Sequence, residues 1–183
     1  MKQVKKAEIM DENAMRRAIN RISYEIIEHN HGSTGIVLAG VRTRGVFLAE
    51  RIADKIGEVE GTRPPLVSLD ITAFRDDKQG GTDAAQLPMI EDIKHSSVII
   101  VDDVLSTGRT VRAAMEAVLH MGRAQCIQLA ALIDRGHREL PIRPDYVGKN
   151  LPTSRAETVR VYMKEYDGRD CVAILTDAEA EQE

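Results

Sequence analysis

The sequence predicts an α/β domain built on a mainly parallel central sheet flanked by helices. Three observations carry this expectation. The runs IVLAGV (36–41), SVIIVDD (97–103) and CIQLAALID (126–134) are short and continuously apolar, as in strands buried on both faces. The segments after the first two place apolar residues at helical spacing. Strands and helices alternate along the chain, which is the order of parallel crossover units.

The elements follow in order. Asp11 is a candidate N-cap for a helix over 12–29. Met15, Ala18, Ile19, Ile22 and Ile26 share one of its faces, and Arg16, Arg17, Asn20 and Arg21 occupy the other. After the 36–41 strand, TRG opens a helix with Val46, Ala49, Ile52, Ala53 and Ile56 inward, expected to end at Gly57. LVSLDITAF (66–74) is expected as a strand with Val67, Leu69 and Ile71 on one face. Residues 75–90 are polar and contain glycine, so they predict a long surface loop or hairpin. A helix over 109–121, with Val111, Ala114, Met115 and Val118 inward, stops at Gly122. TVRVYM (158–163) and CVAIL (171–175) are the last expected strands.

A length of 183 residues suits one domain, placed at 1–176, with an acidic tail at 177–183 expected to be disordered. Hydrophobic residues at 43% and charged residues at 30% exclude wholesale disorder. No apolar run approaches the ~20 residues of a membrane helix. The start, MKQVKKAEIMDEN, has lysines without an apolar stretch behind them. A cytoplasmic protein with no membrane partner is therefore expected. Cys126 and Cys171 stand outside any CxxC pattern and are read as reduced and buried. Aromatics at 3% without Trp disfavour a stacking platform for single-stranded nucleic acid. Four of the acids behind the net charge of −4 lie in the tail. Segment 135–164 carries seven Lys/Arg against three acids, a local basic stretch in a neutral body.

The most informative run is VIIVDDVLSTGRT (98–110), which joins a buried strand to a helix. Adjacent carboxylates, Asp102 and Asp103, are expected at the strand's exposed end, where both can be hydrated. Ser106, Thr107, Gly108, Arg109 and Thr110 follow directly before the helix. Free backbone N–H groups and the positive end of the helix dipole make a phosphate cradle there. Carboxylates suit ribose hydroxyls or a magnesium ion, so the implied ligand is a ribose phosphate. Neither GxxxxGK[ST] nor GxGxxG is present.

This run closely resembles the 5-phosphoribosyl-1-pyrophosphate (PRPP) signature of type I phosphoribosyltransferases. GVRTRGVFLAERIA (40–53), DITAFRDD (70–77), IQLAALIDRGHRELPIRPDYVGKNLPTS (127–154) and DENAMRRAINRISYEI (11–26) narrow the likeness. They resemble the pyrimidine operon attenuation family, whose members are also uracil phosphoribosyltransferases, over residues 5–175. The resemblance implies a type I phosphoribosyltransferase fold with a flexible active-site loop or hairpin and a small hood. It implies PRPP and nucleotide binding by Thr43, Arg44, Gly45, Asp102, Asp103, Val104, Leu105, Ser106, Thr107, Gly108, Arg109 and Thr110. Asp102, Asp103, Arg44 and Arg75 are the implied catalytic set, with Arg75 on a 75–83 loop that closes over the site. Asp134, Arg135 and Val159 are the implied uracil contacts. Magnesium would be held mainly through PRPP and water, with Asp102 and Asp103 as candidate ligands.

The implied reaction converts uracil and PRPP to UMP and pyrophosphate. The uracil nitrogen is the nucleophile, so no Ser-His or Cys-His dyad is required. None of His29, His31, His95, His120 or His137 has metal-ligand spacing. The family also binds the leader of pyrimidine-operon mRNA in response to UMP or UTP and favours transcription termination. Arg16, Arg17 and Arg21 on the first helix are candidate RNA contacts, as are His137, Arg138, Arg143, Lys149 and Arg155. Family members commonly carry Thr and His where this chain has Asn20 and Tyr24, and often Tyr where it has Ser106. They are also longer over 75–95. The resemblance implies a homodimer or tetramer. Two narrower readings stay open from the residues: a phosphoribosyltransferase with no RNA role, and a nucleotide-sensing RNA regulator with weak catalysis.

Overall fold

Alternating apolar strands and amphipathic helices fold into two sheets in the computed structural model, which describes residues 3–76 and 93–177. The elements are β1 (Gln3–Met10), α1 (Glu12–His29), β2 (Ile36–Val41), α2 (Arg44–Glu60), β3 (Leu66–Leu69) and β4 (Ser97–Leu105). Then come α3 (Arg109–Met121), β5 (Cys126–Asp134), β6 (Tyr146–Asn150), β7 (Thr158–Tyr162), α4 (Lys164–Asp167) and β8 (Cys171–Asp177). The larger sheet is wholly parallel, in the order β3-β2-β4-β5-β6. The smaller, antiparallel sheet β1-β8-β7 is the expected hood.

Strand order decides where a ligand can sit. From β2 the chain crosses to β3 on one side and then returns to β4 on the other. The order reverses between β2 and β4, so their carboxyl ends diverge and open a crevice. Both faces of the sheet are covered. Ile36, Leu38, Ile99, Val101, Ala130 and Leu132 pack toward α1, α2 and the hood. The alternate residues Val37, Ala39, Val98, Ile100, Leu129 and Ala131 pack with α3. That alternation is the two-residue period of a strand.

Asp11 caps α1 as expected, its Oδ1 accepting from the Ala14 N–H at 2.7 Å. Helix α3 and strand β5 match their predicted limits. Several expectations are corrected. Helix α2 passes through Gly57 and ends at Glu60, where Gly61 supplies the left-handed cap at φ 75°. Strand β3 stops at Leu69, and a 3₁₀ turn occupies 72–74 because Asp70 bonds back to the Thr72 N–H at 3.0 Å. Met115 is exposed, and Ala113 and Ala117 face inward with Val111, Ala114 and Val118. Cys126 is exposed at the start of β5, whereas Cys171 is buried as expected. Strands β1 and β6 and helix α4 were not anticipated. Strand β8 extends to Asp177, and 178–183 lie outside the described residues, as do 77–92, which include 77–90 of the expected loop. No helix among the described residues is long and apolar enough to cross a membrane.

Candidate active site at the carboxyl edge of the sheet

Asp102 and Asp103 stand inside β4, which continues to Leu105. The expectation of two hydrated carboxylates at an exposed strand end is therefore corrected. Asp102 is only 6% exposed, and Asp103 is half-buried. Asp102 Oδ1 accepts from the Asp103 N–H at 3.0 Å, and Asp103 Oδ1 from the Val104 N–H at 2.9 Å. Burial pushes the Asp102 carboxyl well above the usual carboxylate range, and the neighbouring charge of Asp103 adds to this. Burial also raises Asp103, while its bond to Asp102 and the nearby Arg44 guanidinium pull the other way. The pair thus holds a proton to higher pH than ordinary carboxylates do. A buried carboxyl and a half-buried one that line a crevice fit groups whose partners arrive with a ligand.

The crevice they line has a volume of about 310 Å³. Arg42, Asp70, Thr72, Arg75 and Thr110 also line it. Sequence reasoning missed Arg42, which donates to Ser68 Oγ at 3.0 Å and Asp70 Oδ2 at 3.1 Å. The only signal was its place directly after the β2 apolar run.

The phosphate loop is set by Gly108, whose φ of 93° favours glycine. The N-cap residue Gly108 offers no side chain, and Thr107 Oγ1 accepts from the Arg109 N–H at 3.3 Å. Ser106 and Thr107 turn their carbonyls toward the turn that follows β5: Ser106 O accepts from Arg138, and Thr107 O from the N–H groups of Glu139 and Leu140. In a trans peptide the next N–H points the opposite way. The N–H groups of Thr107 and Gly108 therefore face away from that turn, and neither donates a hydrogen bond within the described residues. Arg109 lies outside the cradle, paired with Asp76 and Glu139 at 2.7 Å each.

Between β2 and α2 the peptide Arg42–Thr43 is cis. Gly45 lets this loop press on the sheet, since a Cβ there would lie 2.5 Å from the Val101 carbonyl oxygen. Arg44 does not point freely into the crevice. It makes a two-pronged pair with Asp167 of α4, at 3.0 and 2.7 Å, and lies 5.2 Å from the Tyr166 ring. Asp167 also accepts from the Met163 N–H at 2.9 Å, and the Arg44 guanidinium holds its carboxyl below the usual range. The loop after β2 is thereby tied to the hood. Sequence spacing could not reveal a partner 123 positions away.

The remaining expected residues divide sharply. Asp134 ends β5, and its carboxylate bonds the Gly136 N–H at 3.0 Å and Arg138 at 2.6 Å. Arg135 reaches the carbonyls of Ser154 and Glu157. Val159 is buried on β7 among the main core. Arg21 bonds the carbonyls of Val147 and Gly148 as well as Glu25. Arg16 pairs with Asn13, and the His137 ring with the Thr153 carbonyl. The side chains of Arg17, Arg143, Lys149 and Arg155 are exposed and make no hydrogen bond or ion pair with the described residues.

Comparison with known proteins agrees with this geometry. Residues 6–165 match the model of the phosphoribosyl transferase domain. The chain is 54% identical over 175 residues to the bifunctional protein PyrR of Bacillus pumilus, covering 92% of this chain and 97% of that one. It is 52% identical over 172 residues to the bifunctional protein PyrR of Streptococcus uberis, covering 94% and 98%. It belongs to the PyrR family of type I phosphoribosyltransferases. Among solved structures, a hypoxanthine phosphoribosyltransferase from Staphylococcus aureus superposes with a TM-score of 0.72 at 18% identity, covering 96% and 95%. That likeness confirms the type I fold, with its parallel five-stranded sheet flanked by helices.

Proposed function

We propose that the chain transfers a phosphoribosyl group from PRPP to uracil, giving UMP and pyrophosphate, and that it uses uridine nucleotides to control its binding to the leader of pyrimidine-operon mRNA. One observation carries the chemical half. A carboxyl pair raised by burial and a loop whose Thr107 and Gly108 N–H groups have no acceptor among the described residues share the carboxyl edge of the sheet at the strand-order reversal. The second half rests on the family resemblance of the sequence, and it accords with relatives at about half identity that are named bifunctional.

The mechanism follows from placement. The N–H groups of the phosphate loop take the 5-phosphate, and the hydroxyls of Ser106, Thr107 and Thr110 add donors. Asp102 and Asp103 then accept the ribose hydroxyls and fix the sugar. Carbon 1 becomes positively charged as pyrophosphate leaves. The carboxylates favour that charge, and Arg42 and Arg75 favour the departing anion. Uracil approaches from the hood side, near Asp134, Arg135 and Val159, and its ring nitrogen closes the new bond. Thr43 and Gly45 shape the loop that faces the pyrophosphate.

Magnesium fits this donor set. The ion takes one or two carboxylates and completes its shell with phosphate oxygens and water. Asp102 and Asp103 supply such a pair, and no cluster of three His, Cys, Asp or Glu competes among the described residues. When bound, magnesium would offset negative charge on pyrophosphate.

For RNA, the exposed cations Arg17, Arg143, Lys149 and Arg155, unpaired among the described residues, are the contacts of choice. A homodimer would join two such faces into one concave surface. The test is to incubate the protein with PRPP, magnesium and, separately, uracil, hypoxanthine, guanine or adenine. UMP as the sole product is expected. A purine nucleotide in its place, or no product from any base, would overturn the enzymatic reading.

A further inference from the structure

We propose that Arg138 is a positioning residue that locks the phosphate loop to the basic turn, so that a phosphate seated on residues 106–110 is felt at the RNA face. The second half of this inference rests on the RNA reading above.

Arg138 lies in the basic stretch and was expected to meet RNA. Its guanidinium instead donates within the chain from all three nitrogens. Nε donates to the Ile142 carbonyl at 2.7 Å, one terminal nitrogen to the Ser106 carbonyl at 2.8 Å, and the other to Asp134 Oδ2 at 2.6 Å. These three acceptors belong to the basic turn, the phosphate loop and the end of β5. Arg138 thus touches all three.

Other contacts make the turn and the loop a single body. Thr107 O accepts from Glu139 and Leu140 at 3.0 and 3.1 Å. The Arg135 N–H donates to the Leu105 carbonyl at 3.0 Å. A Cβ at Gly108 would lie 3.4 Å from Leu140 Cβ, so the loop is packed flat on the turn. Holding the carbonyls from behind is what aims the N–H groups at an arriving phosphate. The connection continues outward, because the Leu151 N–H donates to the Asp134 carbonyl at 2.7 Å. Arg143 and Lys149 therefore ride on the same frame.

The test uses the full chain with Arg138→Ala and Arg138→Lys. UMP synthesis gives KM for PRPP and kcat. Fluorescence anisotropy with a labelled transcript of a pyrimidine-operon leader gives RNA affinity with and without UMP. Loss of charge-assisted hydrogen bonds in Arg138→Ala is expected to raise KM for PRPP about tenfold while kcat changes less. Arg138→Lys, which keeps the charge and one bond, is expected to fall between. UMP should no longer strengthen RNA binding, while affinity without UMP stays close to the parent. A KM for PRPP at the parent value in both variants would overturn the positioning role. An equal loss of RNA affinity with and without UMP is the signature of direct contact and would overturn the coupling. If the parent chain binds no RNA in either state, the RNA reading fails, and the KM comparison still decides the positioning role. If Arg138→Ala does not fold, the KM of Arg138→Lys decides it.

Discussion

The crevice at the ends of β2 and β4 and the turn over 134–143 both concentrate charge, but they treat it in opposite ways. In the crevice, Asp102 is buried beside a half-buried Asp103, and desolvation makes the ionisation of both unfavourable. In the turn, Asp134 meets Arg138 at 2.6 Å and every guanidinium nitrogen of Arg138 has an acceptor, while Arg135 reaches two carbonyls through one terminal nitrogen and leaves its buried Nε without a partner among the described residues. The difference separates two purposes. Unfavourable charge kept at a ligand crevice is relieved by the ligand. Satisfied charge in a turn makes a rigid support. Beyond the turn, the exposed side chains of Arg143, Lys149 and Arg155 have no partner among the described residues.

The largest expected effect breaks the first half of this contrast. Replacing both acids, Asp102→Asn with Asp103→Asn, should lower kcat/KM for UMP synthesis by at least about a thousandfold, since it removes charge that favours the transition state. Near-normal turnover would mean that the pair has no part in the chemistry.

The next effect concerns the tie between the loop after β2 and the hood. Asp167→Asn removes a carboxylate held below its usual range by Arg44, both side chains being mostly buried. Loss of about 2 kcal/mol of stability is expected at neutral pH. The sign follows from the lowered pKa: the tie contributes fully above the usual Asp range and is lost as pH falls through the native value. Urea melts of parent and variant should therefore converge in acid. KM for PRPP should rise more than kcat falls, because Arg44 is released from the loop's support.

A third prediction sharpens the other half. Arg143→Ala and Lys149→Ala should each weaken RNA binding and reduce the salt slope by about one ion each, as for phosphate contacts. Titrations at several salt concentrations measure this. An unchanged slope would remove these side chains from the RNA face.

The smallest effect lies at the far end of the sheet and serves as a control. Tyr146 donates to Gln128 at 2.7 Å, and the Gln128 amide donates to Asn30 at 3.0 Å. Tyr146→Phe should cost about 1 kcal/mol in a urea melt by leaving a buried acceptor short of a partner. Turnover should not change.

What the sequence revealed follows the range of the interactions. The 98–110 run was legible because its chemistry is local: a strand, two acids and a glycine-led helix start lie within thirteen residues. The central strands were legible because both faces are buried, so their apolar runs are unbroken. Strand β1, QVKKAEIM, was not, because it is an edge strand whose residues 4–6 and 8 face solvent. Asp167 and the role of Arg138 were not legible either. Both depend on pairings across the fold, and in sequence an arginine that supports a turn looks the same as one that awaits RNA. The burial of Asp102 was misjudged for a related reason. A paired acid reads as solvated unless the strand is known to continue past it.

The most direct test is the stability of Asp102→Asn against pH, measured by urea unfolding in a chelator without ligand. A carboxyl raised in the native state stabilises the fold below its unfolded pKa and loses that contribution as pH rises through the native value. The variant should therefore be more stable than the parent at neutral pH, by a margin that grows upward from the usual carboxylate range, and it should be catalytically impaired. A variant that is less stable than the parent at pH 7, or equally stable at every pH, would contradict the view that this crevice holds charge in readiness for its ligand.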